Sequence, residues 1–196
     1  AKEKVICNSG YFQNFKHRLN SISKSTATHS TLILDNNSIT KFKKDLNSYS
    51  KIKKNFKILS KKIISEKNIL SLSASHDAYQ KEYGVVHERK IEFYPNNNRL
   101  IGSDKLIKKK NFKSTNFEIR FHLLPKSKVT KTQDRNVLLI ELENSGWKFI
   151  ANNYLTDVES GLYFGDKNSY IENQNIFISG TTQKEDQIIN WLIEKI

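Results

Sequence analysis

Cysteine occurs once, as Cys7, so no internal disulfide can form, and without a Cys-x-x-Cys pair the chain has neither a thiolate zinc site nor a dithiol redox centre. Methionine is absent and the first residue is Ala1, so the start reads as that of a processed protein or of a piece of something longer. There is no apolar run of the roughly 18 residues that a membrane helix needs. The opening "AKEKVICNSG" lacks the charged head and apolar stretch of a signal peptide. No membrane partner is expected. No Pro/Gly/Ser-rich linker interrupts the chain and no fixed-period repeat runs through it, so residues 1–196 read as a single domain. Two common catalytic signatures are missing as well: a Gly-x-Ser-x-Gly elbow and a phosphate-cradling glycine loop.

Acidic residues are in deficit, with 20 Asp and Glu against 33 Lys and Arg, a formal net charge of +13. That balance points to an acidic partner such as a uronic-acid polysaccharide, a nucleic acid or an anionic surface. Much of it also follows from a composition rich in lysine, asparagine and isoleucine, as an AT-rich genome produces. The lysines bunch in "KFKK" (41–44), "KIKKNFK" (51–57), "KK" (61–62) and "KLIKKK" (105–110). Arginine is sparse among them and the aromatic interleaving is too slight for a stacking motif, so nucleic acid is not the expected partner.

What is present is period-2 alternation. It recurs in "ILSLSAS" (69–75), "VVHERKIEFY" (85–94), "NRLIGSDKLI" (98–107), "FEIRFHLL" (117–124), "VLLIEL" (137–142), "WKFIA" (147–151) and "NIFISG" (175–180). Turn signals such as "PNNN" and "ENSG" separate these runs, and the spacing predicts an all-β antiparallel sandwich with little or no helix. The closing "KEDQIINWLIEKI" (184–196) fits neither period cleanly and is assigned as a final strand. Residues 36–55, rich in lysine and asparagine, read as an exposed loop or a ragged edge strand.

Alternation also sorts the polar residues. In 85–94 it puts His87 and Arg89 on the more apolar face with Val85, Ile91 and Phe93. A half-buried guanidinium needs a carboxylate or carbonyl partner, so Arg89 is either half of a structural ion pair or a group that meets an acidic substrate. In 117–124, Glu118, Arg120 and His122 project together, away from Phe117, Ile119, Phe121 and Leu123. Such a triplet is an anion-binding patch or a solvated ladder of charges. The five histidines form no two-histidine helical motif and no i, i+2 pair, so local spacing signals no metal site.

Taken in order, "VICNSG" (5–10), "ATHSTLILD" (27–35), "SHDAYQKEYGVVHERKIEFY" (75–94), "LIGSDKL" (100–106), "FEIRFHLLP" (117–125), "SGWKFIA" (145–151) and "ESGLYFG" (159–165) resemble the C-terminal β-sandwich of the heparinase II/III family of polysaccharide lyases. The resemblance covers nearly the whole chain and rests on the ordered set. It implies the sandwich half of a two-part enzyme, whose N-terminal α/α toroid is absent here and whose cleft takes an acidic polysaccharide. It further implies β-elimination next to a uronic acid, with the principal proton-transfer residues in the toroid. No catalytic residue is therefore expected in this chain; Arg89, Arg120 and His122 are the candidate substrate-binding groups. The family's secreted members would make the compartment periplasmic.

The resemblance also maps His29, in "His-Ser-Thr", and Asn8, in "Asn-Ser-Gly", onto two positions that can hold zinc in the family. At the second the family carries a carboxylate and this chain an amide, which weakens attraction for Zn²⁺. Zinc belongs to the full-length family site, and none is expected to be tightly bound to this chain. Without a metal, His29 caps the start of a strand.

Overall fold

The structure, a computed structural model, describes residues 3–43, 51–53, 56–134, 136–151, 153–165 and 168–196. The chain opens with an irregular segment, the short helix α1 (Arg18–Ile22) and the strands β1 (Leu32–Leu34), β2 (Lys41–Lys43) and β3 (Lys51–Lys53). A long hairpin, β4 (Ile58–Glu66) and β5 (Ile69–His76), leads to the single-turn helix α2 (Gln80–Tyr83). Then come β6 (Val85–Tyr94), β7 (Arg99–Lys108), β8 (Asn116–His122), β9 (Lys128–Lys131), β10 (Val137–Glu141), β11 (Gly146–Ala151), β12 (Thr156–Tyr163), β13 (Ile171–Thr181) and β14 (Gln187–Lys195).

These strands build a sandwich. A four-stranded sheet runs β1-β8-β13-β12, an eight-stranded sheet runs β4-β5-β6-β7-β14-β11-β10-β9, and every pairing within them is antiparallel. The alternating runs all become strands, and the closing segment is β14, placed between β7 and β11 in the wide sheet. There its pattern is legible: Ile189, Trp191 and Ile193 are buried and face inward, while Ile188 is exposed. Residues 36–55 contribute the small hairpin of β2 and β3; within them, 44–50 and 54–55 lie outside the described residues.

Phe117, Ile119 and Phe121 of β8 and Ile176 and Ile178 of β13 supply one inner face. Phe149, Trp191, Ile193, Leu138 and Ile140 supply the other. At the centre, Phe121 meets Phe149 and Trp191 edge-on, each with ring centroids 4.8 Å apart, so one aromatic trio couples the two sheets. Gly102 on β7 makes room for it. Trp191 lies opposite Gly102 in the register, and a Cβ there would sit 2.0 Å from the indole ring. Gly102→Ala is expected to displace Trp191 and destabilise the fold by about 1–3 kcal/mol, read as a lower urea midpoint with an unchanged m-value; an unchanged midpoint would refute this packing.

Candidate functional site

The segment "TATHST" is shaped by hydroxyl side chains bonding their own backbone, as Ser and Thr do at turns. The Thr28 hydroxyl donates to the carbonyls of Ser25 and Ser23 at 2.8 and 3.1 Å, closing a 3-10 turn over Thr26–Thr28. The Thr26 hydroxyl accepts from the Ile39 amide at 2.9 Å and so holds the chain beyond β1 against the turn. His29 follows in extended conformation (φ −115°, ψ 147°) and stands three residues before β1, where its backbone caps the turn. Its side chain is exposed on the wall of an open cleft of about 570 Å³, shared with Tyr11, Lys24, Thr31 and Ile39. Partial burial lowers the His29 pKa, which favours the neutral imidazole.

"VICNSG" lies directly beside this turn. The Ser9 amide donates to Thr28 O at 2.9 Å, and the Asn8 side-chain oxygen accepts from the Ser30 amide at 3.2 Å. Gly10, at φ +79°, lets the chain touch the segment after β12, where the Phe164 amide donates to Ser9 O at 2.5 Å. A Cβ on Gly10 would lie 2.8 Å from the Gly165 amide nitrogen, so only glycine fits. Phe12, Leu19 and Phe164 then close a small apolar cluster of their own.

Ser30 joins most of the residues singled out in the sequence. Its hydroxyl donates to Cys7 O at 2.6 Å and accepts from the His122 amide at 2.9 Å, while its carbonyl accepts from an Arg89 Nη. His122 shares the outer face of β8 with Glu118 and Arg120, as alternation predicts, but the segment containing Cys7 and Ser30 covers it and leaves it 2% exposed. Its Nε2 donates to Ala27 O at 3.0 Å, and its Nδ1 lies 2.9 Å from both the Ser9 hydroxyl and the Asn175 amide oxygen. Burial lowers the His122 pKa against the opposing pull of the Asn175 and Ala27 hydrogen bonds. Arg120 bridges two carboxylates, with Nε 2.7 Å from Glu159 and Nη2 2.6 Å from Glu118.

Arg89 points the other way, into the sandwich, onto Asp104. The carboxylate is fully buried and accepts four hydrogen bonds: Arg89 Nε at 2.8 Å, Arg89 Nη2 at 2.9 Å, His87 Nε2 at 2.6 Å and Trp191 Nε1 at 2.9 Å. Burial pushes the Asp104 pKa up, but the Arg89 charge and the His87 hydrogen bond outweigh it and hold the group well below the usual carboxylate range. The partners assign the imidazole tautomers in turn. His87 gives its Nε2 proton to Asp104, so its Nδ1 accepts from His76 Nε2 at 3.2 Å, and His76 Nδ1 accepts from the Ala78 amide at 3.3 Å.

Asn8, His29, Arg89 and His122 thus gather around Ser30, while Arg120 sits farther along β8 with its carboxylates. Ser30, Asp104, Asn175 and Glu159 were not singled out in the sequence. Asp104 had a signal: alternation in "LIGSDKL" puts it on the apolar face with Leu100 and Leu106, directly opposite Arg89. Ser30 had none, since one serine among many carries no pattern.

For zinc, the described residues around His29 offer one imidazole and one amide oxygen already used by Ser30, and no group of three His, Cys, Asp or Glu among the described residues could hold an ion. That donor set does not fit a tetrahedral zinc site by itself.

The heparinase II/III-like C-terminal family profile matches residues 1–192. Among solved structures, the heparan sulfate lyase HepC of Pedobacter heparinus superposes with a TM-score of 0.77 at 15% identity, covering 98% of this chain and 28% of that one. A heparinase III gene product with methylated lysines gives 0.74 at 15% identity, covering 99% and 28%. Another heparinase III gives 0.72 at 15% identity, again covering 99% and 28%. These likenesses show a shared fold, and this chain spans about 28% of the length of those proteins. No curated protein matches the sequence.

Two predictions follow from the buried network. Asp104→Asn keeps the shape and removes the charge, leaving Arg89 and His87 without their anion; a loss of about 3–5 kcal/mol is expected in chemical unfolding, and a loss below about 1 kcal/mol would mean that the pair contributes little. The second concerns pH. Burial, then the neighbouring His87, lowers His76 from 6.5 to about 4, against a rise from Asp77. Between those values the unfolded chain binds a proton at His76 that the folded chain does not, so the His76 contribution to stability is constant above pH 6.5 and falls as pH drops towards 4. In His76→Gln the decline of Tm over that window should be shallower; equal slopes would rule out His76 as its source.

Proposed function

The chain belongs to the heparinase II/III-like C-terminal family, and on that premise we propose that it is the β-sandwich portion of a polysaccharide lyase acting on a uronic-acid-containing acidic polysaccharide. The family match over residues 1–192, together with structural relatives about 3.5 times as long, carries this reading. β-Elimination at a uronic acid requires the carboxylate to be neutralised so that the C5 proton can leave, a base to take that proton and an acid to protonate the departing glycosidic oxygen. The net charge of +13 favours attraction of such a polymer.

Within this portion the His29 cleft is the face offered to substrate. A neutral imidazole, the Tyr11 hydroxyl and the Lys24 ammonium there can hydrogen-bond hydroxyls and meet a carboxylate. Arg89 and His122 serve this face by position: they hold Ser30 and Ala27, which flank His29. Arg120 serves through its backbone amide, which donates to Thr31 O at 3.2 Å beside the cleft. The partner of this portion is an N-terminal toroid domain. Zinc, if the complete enzyme uses it, would take its other ligands from outside the described residues of this chain.

The proton-transfer groups are assigned to the toroid, so this chain alone is expected to give no unsaturated-uronate absorbance with heparan sulfate or other uronic-acid polymers. Any sustained rise in that absorbance, abolished by heating the chain, would overturn the assignment.

A further inference from the structure

The end of the sandwich where β5 passes through α2 into β6 carries a second cleft, of about 520 Å³. Its lining residues are Asp77, Ala78, Gln80, Lys81, Lys109, Lys110 and Asn111, and it shares none of them with the His29 cleft. Two pieces of chain far apart in sequence meet there, and the contact between them is built. Gly84 ends α2 at φ +66°, its carbonyl accepts from the Lys109 amide at 2.7 Å, and the Lys113 amide donates to Tyr83 O at 3.0 Å. A Cβ on Gly84 would lie 2.6 Å from the Phe112 amide nitrogen. The helix bearing Lys81 and the turn bearing Lys109 and Lys110 are therefore locked side by side. Lys57 reaches the same rim, because its amide donates to Asp77 Oδ1 at 2.6 Å.

Four lysines elsewhere on the surface are paired, others such as Lys62 and Lys128 are not paired among the described residues, and this cleft differs in bringing several unpaired lysines into one hollow. Lys90, Lys105, Lys131 and Lys148 each have a carboxylate within salt-bridge distance. Among the described residues, no such pair forms with Lys81, Lys109 or Lys110. Asp77 is the only acidic group among the described lining residues, and one of its oxygens is occupied by the Lys57 amide. Three lysines line one hollow, and Gln80 and Asn111 line it beside them.

We propose that this cleft binds an anionic polysaccharide, with Lys81, Lys109 and Lys110 meeting its sulfates or carboxylates and Gln80 and Asn111 its hydroxyls. The lining favours a glycan over a nucleic acid because its described residues hold no aromatic ring on which a base could stack. The site does not depend on the lyase reading, since binding is measured without turnover.

The test is calorimetric titration of this chain with a size-defined heparin oligosaccharide at low salt, repeated at higher salt. Replacing Lys81, Lys109 and Lys110 together by alanine should weaken binding at least about tenfold, and wild-type affinity should fall with salt. A control removes the same charge elsewhere: Lys62, Lys67 and Lys128, all exposed and all outside the cleft, changed to alanine. It should stay within about twofold of wild type if position matters more than net charge. The substituted lysines are all exposed, and far-ultraviolet circular dichroism verifies that both variants are folded. Equal weakening in the two triple variants, or no weakening in the cleft variant, would overturn the proposal. So would poly-uridylate binding as tightly as heparin with the same loss in the cleft variant, which would make the site one for nucleic acid.

Discussion

The ion pair between Asp104 and Arg89 is the constraint around which the molecule is arranged. A fully buried carboxylate is tolerable only if its oxygens are filled and its charge is matched. Asp104 obtains both from β6 and β14, through Arg89, His87 and Trp191. The same guanidinium uses its remaining nitrogen on the carbonyl of Ser30, just ahead of β1. One side chain thereby joins the wide sheet to the segment that enters the narrow one. Trp191 is shared too, since its nitrogen serves Asp104 and its ring packs with Phe121 across the core.

That link reaches the outer face of the narrow sheet through Ser30. The serine uses its amide, hydroxyl and carbonyl at once, binding Asn8, Cys7, His122 and Arg89. The result is a polar layer laid over β8, in which His122 is buried because the N-terminal segment crosses it. His29 is carried on this layer but remains uncovered, and this difference separates a histidine that orders structure from one that faces a cleft.

The surface charge divides in a similar way. Where a lysine stands beside a carboxylate on a neighbouring strand, as Lys148 of β11 does beside Glu194 of β14, the excess is locally balanced. At the α2 end the strands have run out and only turns remain, so no cross-strand position is available to place a carboxylate opposite Lys109 or Lys110. A positive cleft results from topology as well as from composition.

Alternation alone determined much of the architecture: which residues of β6 and β8 face inward, and that Arg89 must have an anionic or carbonyl partner. It could do so because period 2 is a local property, set by the pleat of each strand. Other assignments needed the tertiary structure. Whether the Glu118, Arg120 and His122 face is open or covered depends on where residues 7–30 lie, and no periodicity encodes that path. The bond from Asn8 to Ser30, and the lysines of α2 and the 109–111 turn set beside one another, join positions 22 to 30 residues apart. Side chains that gain their meaning from a partner distant in the chain leave no trace in local pattern, because the free energy of pairing exists only once the backbone has brought the two together.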